Sequence, residues 1–231
     1  MKLLILISSD RVIPENIKLI DEGIKKTWAS REYKDVTILP YYGGNEKNQI
    51  DEGGIQVTAK DIGLENIYDK TMLAFKLAYE NIDFDIMLRT NVSTYIRPDY
   101  LRSILKHVEP KDFFGSTWCH PLDEHCYFSG ISLLFSRDVI KKILDADFKN
   151  KEGKVDDVYL GEIIENLYPN YRGIYKNFKR LDIMENSILR LKDPLFKINF
   201  SNIWAFRCKT PHSDRNLDIE KMKLLDEIFY K

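Results

Sequence analysis

The sequence predicts a three-layer α/β domain built on a mostly parallel central sheet. Short apolar runs alternate with stretches of helical period, the pattern of strands joined by crossover helices. The first apolar run, Leu3-Leu4-Ile5-Leu6-Ile7, reads as a buried strand. The chain of 231 residues is 44% hydrophobic and 31% charged, an ordinary globular composition. No linker, repeat or low-complexity stretch divides it, so one domain over residues 1–231 is the simplest account.

Lys2 to Ile7 is the opening strand and ends in Ser8-Ser9-Asp10. Asn16 to Trp28 repeats Ile17, Ile20, Ile24 and Trp28 near helical spacing and reads as a helix. Val36 to Leu39 is a second strand, which Pro40 is expected to end. Tyr41 to Gly63 contains Gly43-Gly44 and Gly53-Gly54, lacks a strong period and reads as a long loop. Tyr68 to Tyr79 is a helix with Met72, Phe75 and Tyr79 on one side. Phe84 to Leu88 is the next strand and Arg89 to Arg97 a polar turn. Pro98 then opens a helix that runs to Val108. Phe113-Phe114-Gly115 and Gly130 to Phe135 are further strands, and Ser136 is expected to cap a helix from Arg137 to Leu144. Asp156-Asp157 precede a helix bearing Leu160, Ile163 and Ile164. Phe196 to Phe200 and Trp204 to Arg207 lead to a closing helix, Leu217 to Tyr230. Ligands of such sheets bind beyond the carboxyl ends of the strands. That rule selects Ser8-Ser9-Asp10, Arg89 to Tyr95 and the residues before Gly130.

The formal net charge is -1, from 35 basic and 36 acidic side chains, which offers no global attraction to nucleic acid. Three cysteines, Cys119, Cys126 and Cys208, are too few and odd in number for a disulfide framework. Their count suits a reducing compartment and a cytoplasmic location, peripheral to a membrane at most through an acceptor. Cys119 and Cys126 bracket His120 and His125, but the spacing matches no common zinc pattern. The opening apolar run lacks a small-residue cleavage site and is a strand rather than a signal peptide. No run approaches the length of a membrane span. A Walker A sequence, a G-x-G-x-x-G after the first strand and a G-x-S-x-G elbow are all missing.

Four segments carry more specific information: Tyr68-Asp69-Lys70-Thr71 at a helix start; Phe84 to Ile96, containing Arg89-Thr90-Asn91-Val92-Ser93; Tyr127-Phe128-Ser129-Gly130 followed by Ser136-Arg137-Asp138-Val139; and Val155-Asp156-Asp157-Val158-Tyr159-Leu160-Gly161. In this order they resemble the β1,3-galactosyltransferase and Fringe-like glycosyltransferases. The likeness covers residues 60 to 165, and Asp-Asp-Val-Tyr-Leu-Gly is its most specific piece. It implies a GT-A fold and a nucleotide-diphosphate sugar as donor, UDP-sugars among the candidates. It also implies a glycan or glycolipid hydroxyl as acceptor and an inverting transfer with Asp157 as general base. Asp156 would help shape the site or touch the acceptor. The bland reading of the same pair is an acidic helix N-terminus, which is favourable without any function.

The chain departs from this family where three aspartates are expected and Asn91-Val92-Ser93 stand instead. Asn and Ser are poor ligands for a hard divalent cation. Weak or absent dependence on Mn2+ or Mg2+ is therefore expected, with Ser93 and the distant His212 as the remaining metal candidates. Arg89, Lys70 or Arg97 would then meet the phosphates; Lys209 and Arg215, which flank His212, could equally meet a diphosphate, and Asn91 and Ser93 are candidates for binding the nucleotide-sugar. Asp10 and Arg11 are candidates for the base or ribose, and Gly130 for the donor pocket. Trp118 and Tyr127 are acceptor-stacking candidates that core packing explains equally well. Two other function classes stay open: a nucleotide-sugar-binding protein of the same fold that has lost catalysis, and a nucleotidyltransferase.

Overall fold

In the computed structural model of the chain, the described residues are 1–61, 66–116, 119–122, 125–146, 155–170, 176–177, 179–182, 200, 203–210 and 215–230. For 119–122, 125–127, 176–177 and 179–182 only the backbone is described. The first half contains β1 (Leu3–Ser8), α1 (Pro14–Lys18) continuing into a π turn (Leu19–Ile24), β2 (Val36–Tyr42), β3 (Gln49–Asp51), β4 (Gly54–Gln56), α2 (Ile67–Asn81), β5 (Ile86–Asn91), β6 (Thr94–Ile96) and α3 (Pro98–Leu105). The second contains β7 (Phe114–Ser116), β8 (Cys119–Leu122), β9 (His125–Phe128), β10 (Leu133–Ser136), α4 (Arg137–Asp145), α5 (Asp156–Leu167), β11 (Lys176–Asn177), β12 (Lys179–Asp182), β13 (Ile203–Arg207) and α6 (Arg215–Tyr230).

Among the described residues the main sheet has eight strands, in the order β11-β7-β10-β5-β1-β2-β4-β3. The strands β5, β1, β2 and β4 run parallel. β10 is inserted antiparallel between β5 and β7, and β3 closes the far edge antiparallel to β4. Along β1 the side chains alternate between two cores. Leu3, Ile5 and Ile7 join Trp28, Leu101, Trp204 and Met222 on one face. Leu4 and Leu6 join Phe75, Met87, Phe135 and Ile163 on the other. A strand covered on both faces must be apolar throughout, which is what the opening run supplies. The layers are thus helix, sheet, helix, as expected. Among the described residues no helix is long and apolar enough to cross a membrane.

A three-stranded sheet, β12-β13-β6, lies beside the main one. β13 runs antiparallel to β6, and the Cys208 N–H extends the pairing to the Ser93 carbonyl at 2.8 Å. That bond brings the segment after β13 against the end of β5.

Several expectations need correction. Pro40 does not end β2, which continues to Tyr42. The Tyr41 carbonyl serves Ser9 while the Tyr42 carbonyl serves Val57, so by alternation Pro40 faces the β4 side. Pairing with β4 begins only at Tyr41, and the missing N–H of proline leaves nothing unpaired. The supposed loop from Tyr41 to Gly63 contains the short hairpin β3–β4. Arg89 and Thr90 belong to β5 rather than to a turn. Gly130 precedes its strand, which starts at Leu133. Ser136 stands at the N-cap of α4 without a capping bond; its hydroxyl accepts from the Phe113 N–H and donates to Asp138. Trp118, Phe196 to Asn199 and the side chains of Cys119, His120, His125, Cys126 and Tyr127 lie outside the described residues.

Gly54 closes the β3–β4 hairpin at a φ of +119°, and a Cβ there would sit 2.2 Å from the Pro40 carbonyl oxygen. Both strain and overlap oppose any side chain. Gly54→Ala should lower unfolding free energy by about 3 kcal/mol, read from the urea midpoint. An unchanged midpoint would mean that the hairpin relaxes freely.

Candidate functional site

The parallel strands β1 and β5 deliver their carboxyl ends to one cavity of about 350 Å³. Ser8, Ser9 and Asp10 enter from the end of β1, and Asn91, Val92 and Ser93 from the end of β5. Because β10 is antiparallel, its incoming end reaches the same rim, and Gly130 lines the cavity there. Asp156 and Asp157 come from the start of α5, Lys70 from α2, Lys209 from the segment after β13 and Arg215 from the start of α6. A second cavity of similar size adjoins it, sharing Asp10, Asn16, Ile67 and Lys70.

A buried ion pair holds this wall together. The Arg89 guanidinium meets the Asp156 carboxylate at 2.5 Å, and both side chains are 3% exposed. Arg89 Nε also donates to the Tyr41 hydroxyl at 3.2 Å, and Nη1 donates to the Gly130 carbonyl. The Thr71 hydroxyl donates to Asp156 at 2.8 Å and lies 2.9 Å from the Tyr41 hydroxyl. Four elements therefore converge on one charge pair, and each polar group has a partner. Such satisfaction is the condition for burying charge at tolerable cost.

Asp157 differs from its neighbour. It is half-buried, and its carboxylate accepts from the Gly130 N–H at 3.1 Å and the Val158 N–H at 2.9 Å. No cation pairs with it among the described residues. Burial, and then the adjacent Asp156, raise its proton affinity above that of an ordinary carboxylate, although Arg89 and the two backbone bonds pull the other way. Gly130 explains the close approach: a Cβ there would meet the Asp157 carboxylate at 2.8 Å and Arg89 Nη1 at 3.1 Å.

The remaining groups sort by partner. Lys70 is spoken for, donating at 2.7 Å to both the Ser9 carbonyl and Asp61. Asp10 accepts the Ile13 N–H at 2.7 Å and the Asn16 amide. Arg215 Nη1 donates to the Ser93 hydroxyl at 2.8 Å and to Asp218 at 2.9 Å. Lys209 is exposed and has no carboxylate partner among the described residues. Partial burial, with Arg215 and Arg207 adding repulsion, lowers its pKa.

Ten of the candidates named from sequence thus share one cavity: Asp10, Lys70, Arg89, Asn91, Ser93, Gly130, Asp156, Asp157, Lys209 and Arg215. Arg11 does not join them. Its guanidinium lies over the Tyr42 ring at 4.4 Å, because the bend after β1 turns it away from Asp10. Arg97 also faces elsewhere, over Tyr100 and Phe229. His212 lies outside the described residues. Asn16 was not singled out. It is 8% exposed, lines both cavities, and its Oδ1 has no hydrogen-bond partner among the described residues. Its only sequence signal is a polar residue on the inner side of a Pro-led helix.

The donor set does not fit a divalent cation at the end of β5. Asn91 Oδ1 already accepts the Ser93 N–H at 3.1 Å and the Thr94 hydroxyl at 2.9 Å. The Ser93 oxygen accepts from a guanidinium, which would repel a metal at that atom. These contacts oppose Ser93 as a metal ligand. Among the described residues no three His, Cys, Asp or Glu side chains converge as a cation site.

No protein-family model matches the chain, and no curated protein matches it in sequence. Solved structures do. The glycosyltransferase GlyE of Streptococcus pneumoniae TIGR4 aligns over 99% of this chain at 13% identity and a TM-score of 0.50. This chain spans 63% of the GlyE chain. A glycosyltransferase involved in glycosylation of the major capsid of PBCV-1 aligns over 96% of this chain and 100% of its own, at 11% identity and a TM-score of 0.51. The likeness establishes the fold: the chain has the GT-A architecture.

Removing one member of the buried pair should be far worse than removing both. Arg89→Met leaves an uncompensated carboxylate and should cost about 3–5 kcal/mol by denaturant unfolding. Arg89→Met with Asp156→Leu should recover much of that loss. A single variant within 1 kcal/mol of the parent would show that Asp156 finds another partner.

Proposed function

We propose that the protein is a glycosyltransferase that moves a sugar from a nucleotide-diphosphate donor to a hydroxyl of a glycan or glycolipid, with inversion. The observation that carries this reading is the division of labour between adjacent carboxylates. Asp156 is neutralised by Arg89, whereas Asp157 lines the cavity with raised proton affinity and, among the described residues, accepts from backbone N–H groups. A half-buried carboxylate of raised proton affinity that lines a cavity is a candidate base.

In the proposed step the acceptor oxygen attacks the anomeric carbon and its proton passes to Asp157. The bond from the anomeric carbon to the diphosphate oxygen breaks, and the electron pair leaves with the diphosphate. The Gly130 and Val158 N–H groups hold the carboxylate in place, and the raised proton affinity brings the base closer to the working pH. The GT-A architecture supports the reading, and so does the position of the cavity at the carboxyl ends of β1 and β5. A protein that binds the donor without transferring it is a second reading, favoured by Asn91 and Ser93 standing where aspartates are expected.

Asp157→Asn should leave donor binding within about 3-fold by calorimetry and lower transfer about 100-fold or more. Unchanged transfer would remove Asp157 from the role. Protonation inactivates a base, so transfer should fall on the acid side. That limb should lie above the ordinary carboxylate range, because the Asp157 pKa is raised, and it should vanish from the residual activity of Asp157→Asn. The same shift makes folding less favourable as pH rises from the unfolded carboxylate value to the folded one.

A further inference from the structure

The sheet edge at the end of β5 has a cation built into it. Arg215 lies in the same cavity as Asn91 and Ser93, its Nη1 fixed between the Ser93 hydroxyl and Asp218. Asp218 is fully buried, and its other oxygen accepts both the N–H and the hydroxyl of Thr210, at 2.7 and 2.6 Å. The fully buried Lys221 donates to the Cys208 carbonyl at 3.1 Å and to the Thr210 hydroxyl at 3.2 Å. The residues on either side of Lys209 are therefore tied to α6, and the Cys208 N–H is tied to Ser93. Lys209 alone in this segment is exposed, and it lines the cavity.

We propose that Arg215 and Lys209 form a fixed two-cation clamp for the diphosphate of the donor, in the place where a divalent metal would otherwise neutralise it. The inference rests on the nucleotide-sugar reading for the identity of the ligand, and on geometry for the clamp. Burial first, and then repulsion from Arg215 and Arg207, lower the Lys209 pKa, and a bound polyanion would offset that repulsion. Arg supplies a planar fork of donors and Lys a mobile point charge, a complementary pair for two phosphoryl groups. Holding both on a pre-formed backbone reduces the ordering needed at binding. Arg89 and Lys70 are enclosed beside Asp156 and Asp61, at 3% and 7% exposure, whereas Arg215, although also paired with a carboxylate, is 21% exposed.

The test is calorimetric titration of the whole chain with inorganic pyrophosphate, and separately with UDP, GDP and dTDP, in excess EDTA and then with manganese. Pyrophosphate and at least one nucleoside diphosphate are expected to bind in EDTA. Lys209→Gln and Arg215→Gln should each weaken both about 10-fold or more, and Arg215→Lys should recover part of the loss. Lys209 is exposed, so Lys209→Gln probes the clamp without unpairing the buried Asp218; circular dichroism checks that Arg215→Gln is folded. Binding that appears only with manganese overturns the clamp. So does affinity unchanged in folded Lys209→Gln and Arg215→Gln, or no binding of any probe. Pyrophosphate binding in EDTA with no nucleotide binding keeps the clamp and ends the donor reading instead.

Discussion

The ion pair between Arg89 and Asp156 is the interaction on which the functional end of the molecule depends. It joins the end of β5 to the start of α5, and Arg89 reaches the Gly130 turn and Tyr41 on β2 through its other nitrogens. Two charges at 3% exposure are stable only as a set. The pair therefore fixes distances between elements that have no strand pairing with each other. One consequence is the placement of Asp157. Its neighbour in sequence is locked to β5, and its own carboxylate is held by the amide of a glycine that Arg89 also holds.

A second set of buried charges serves the opposite wall. Asp218 and Lys221 are both inaccessible to solvent, and they meet through the Thr210 hydroxyl, which donates to one and accepts from the other. The central sheet supplies neither charge. They come from α6, which packs on the π turn after α1, where a Cβ on Gly23 would touch the Met222 sulfur at 3.0 Å. The cavity thus has a sheet-borne wall, organised by Arg89, and a helix-borne wall, organised by Asp218. Where the two walls meet, Ser93 offers Arg215 a neutral hydroxyl, and Asp218 supplies the carboxylate.

Much of this was legible in the sequence. The apolar runs marked β1, β5 and β10 because burial on both faces leaves little room for polar residues, and the α/β alternation followed. The rule that ligands gather at strand carboxyl ends then located most of the cavity. The short hairpin β3–β4 was missed because three-residue strands carry no period. Pro40 misled because its effect depends on which neighbour it faces, a property of register and not of local sequence. Arg11 was misplaced because adjacency to Asp10 says nothing about direction in a bend. Asn16 and Asp218 were silent for a different reason: their partners lie in the fold, and no spacing rule announces a carboxylate that binds a strand exit eight residues away. The likeness to GlyE and the capsid glycosyltransferase reaches the architecture, a coarser level than the Fringe-like resemblance of the four segments.

The cavity draws its lining from Ser8 through Arg215, nearly the whole length of the described chain. A site assembled from such distant segments has no local fragment that retains it. A ligand that fills it would contact β1, α2, α5 and α6 at once, and its binding free energy would oppose any partial opening that detaches one of them. Hydrogen exchange in α6 and thermal melting of the central sheet should consequently respond to the same ligand, and occupancy of the cavity becomes a measure of global cooperativity.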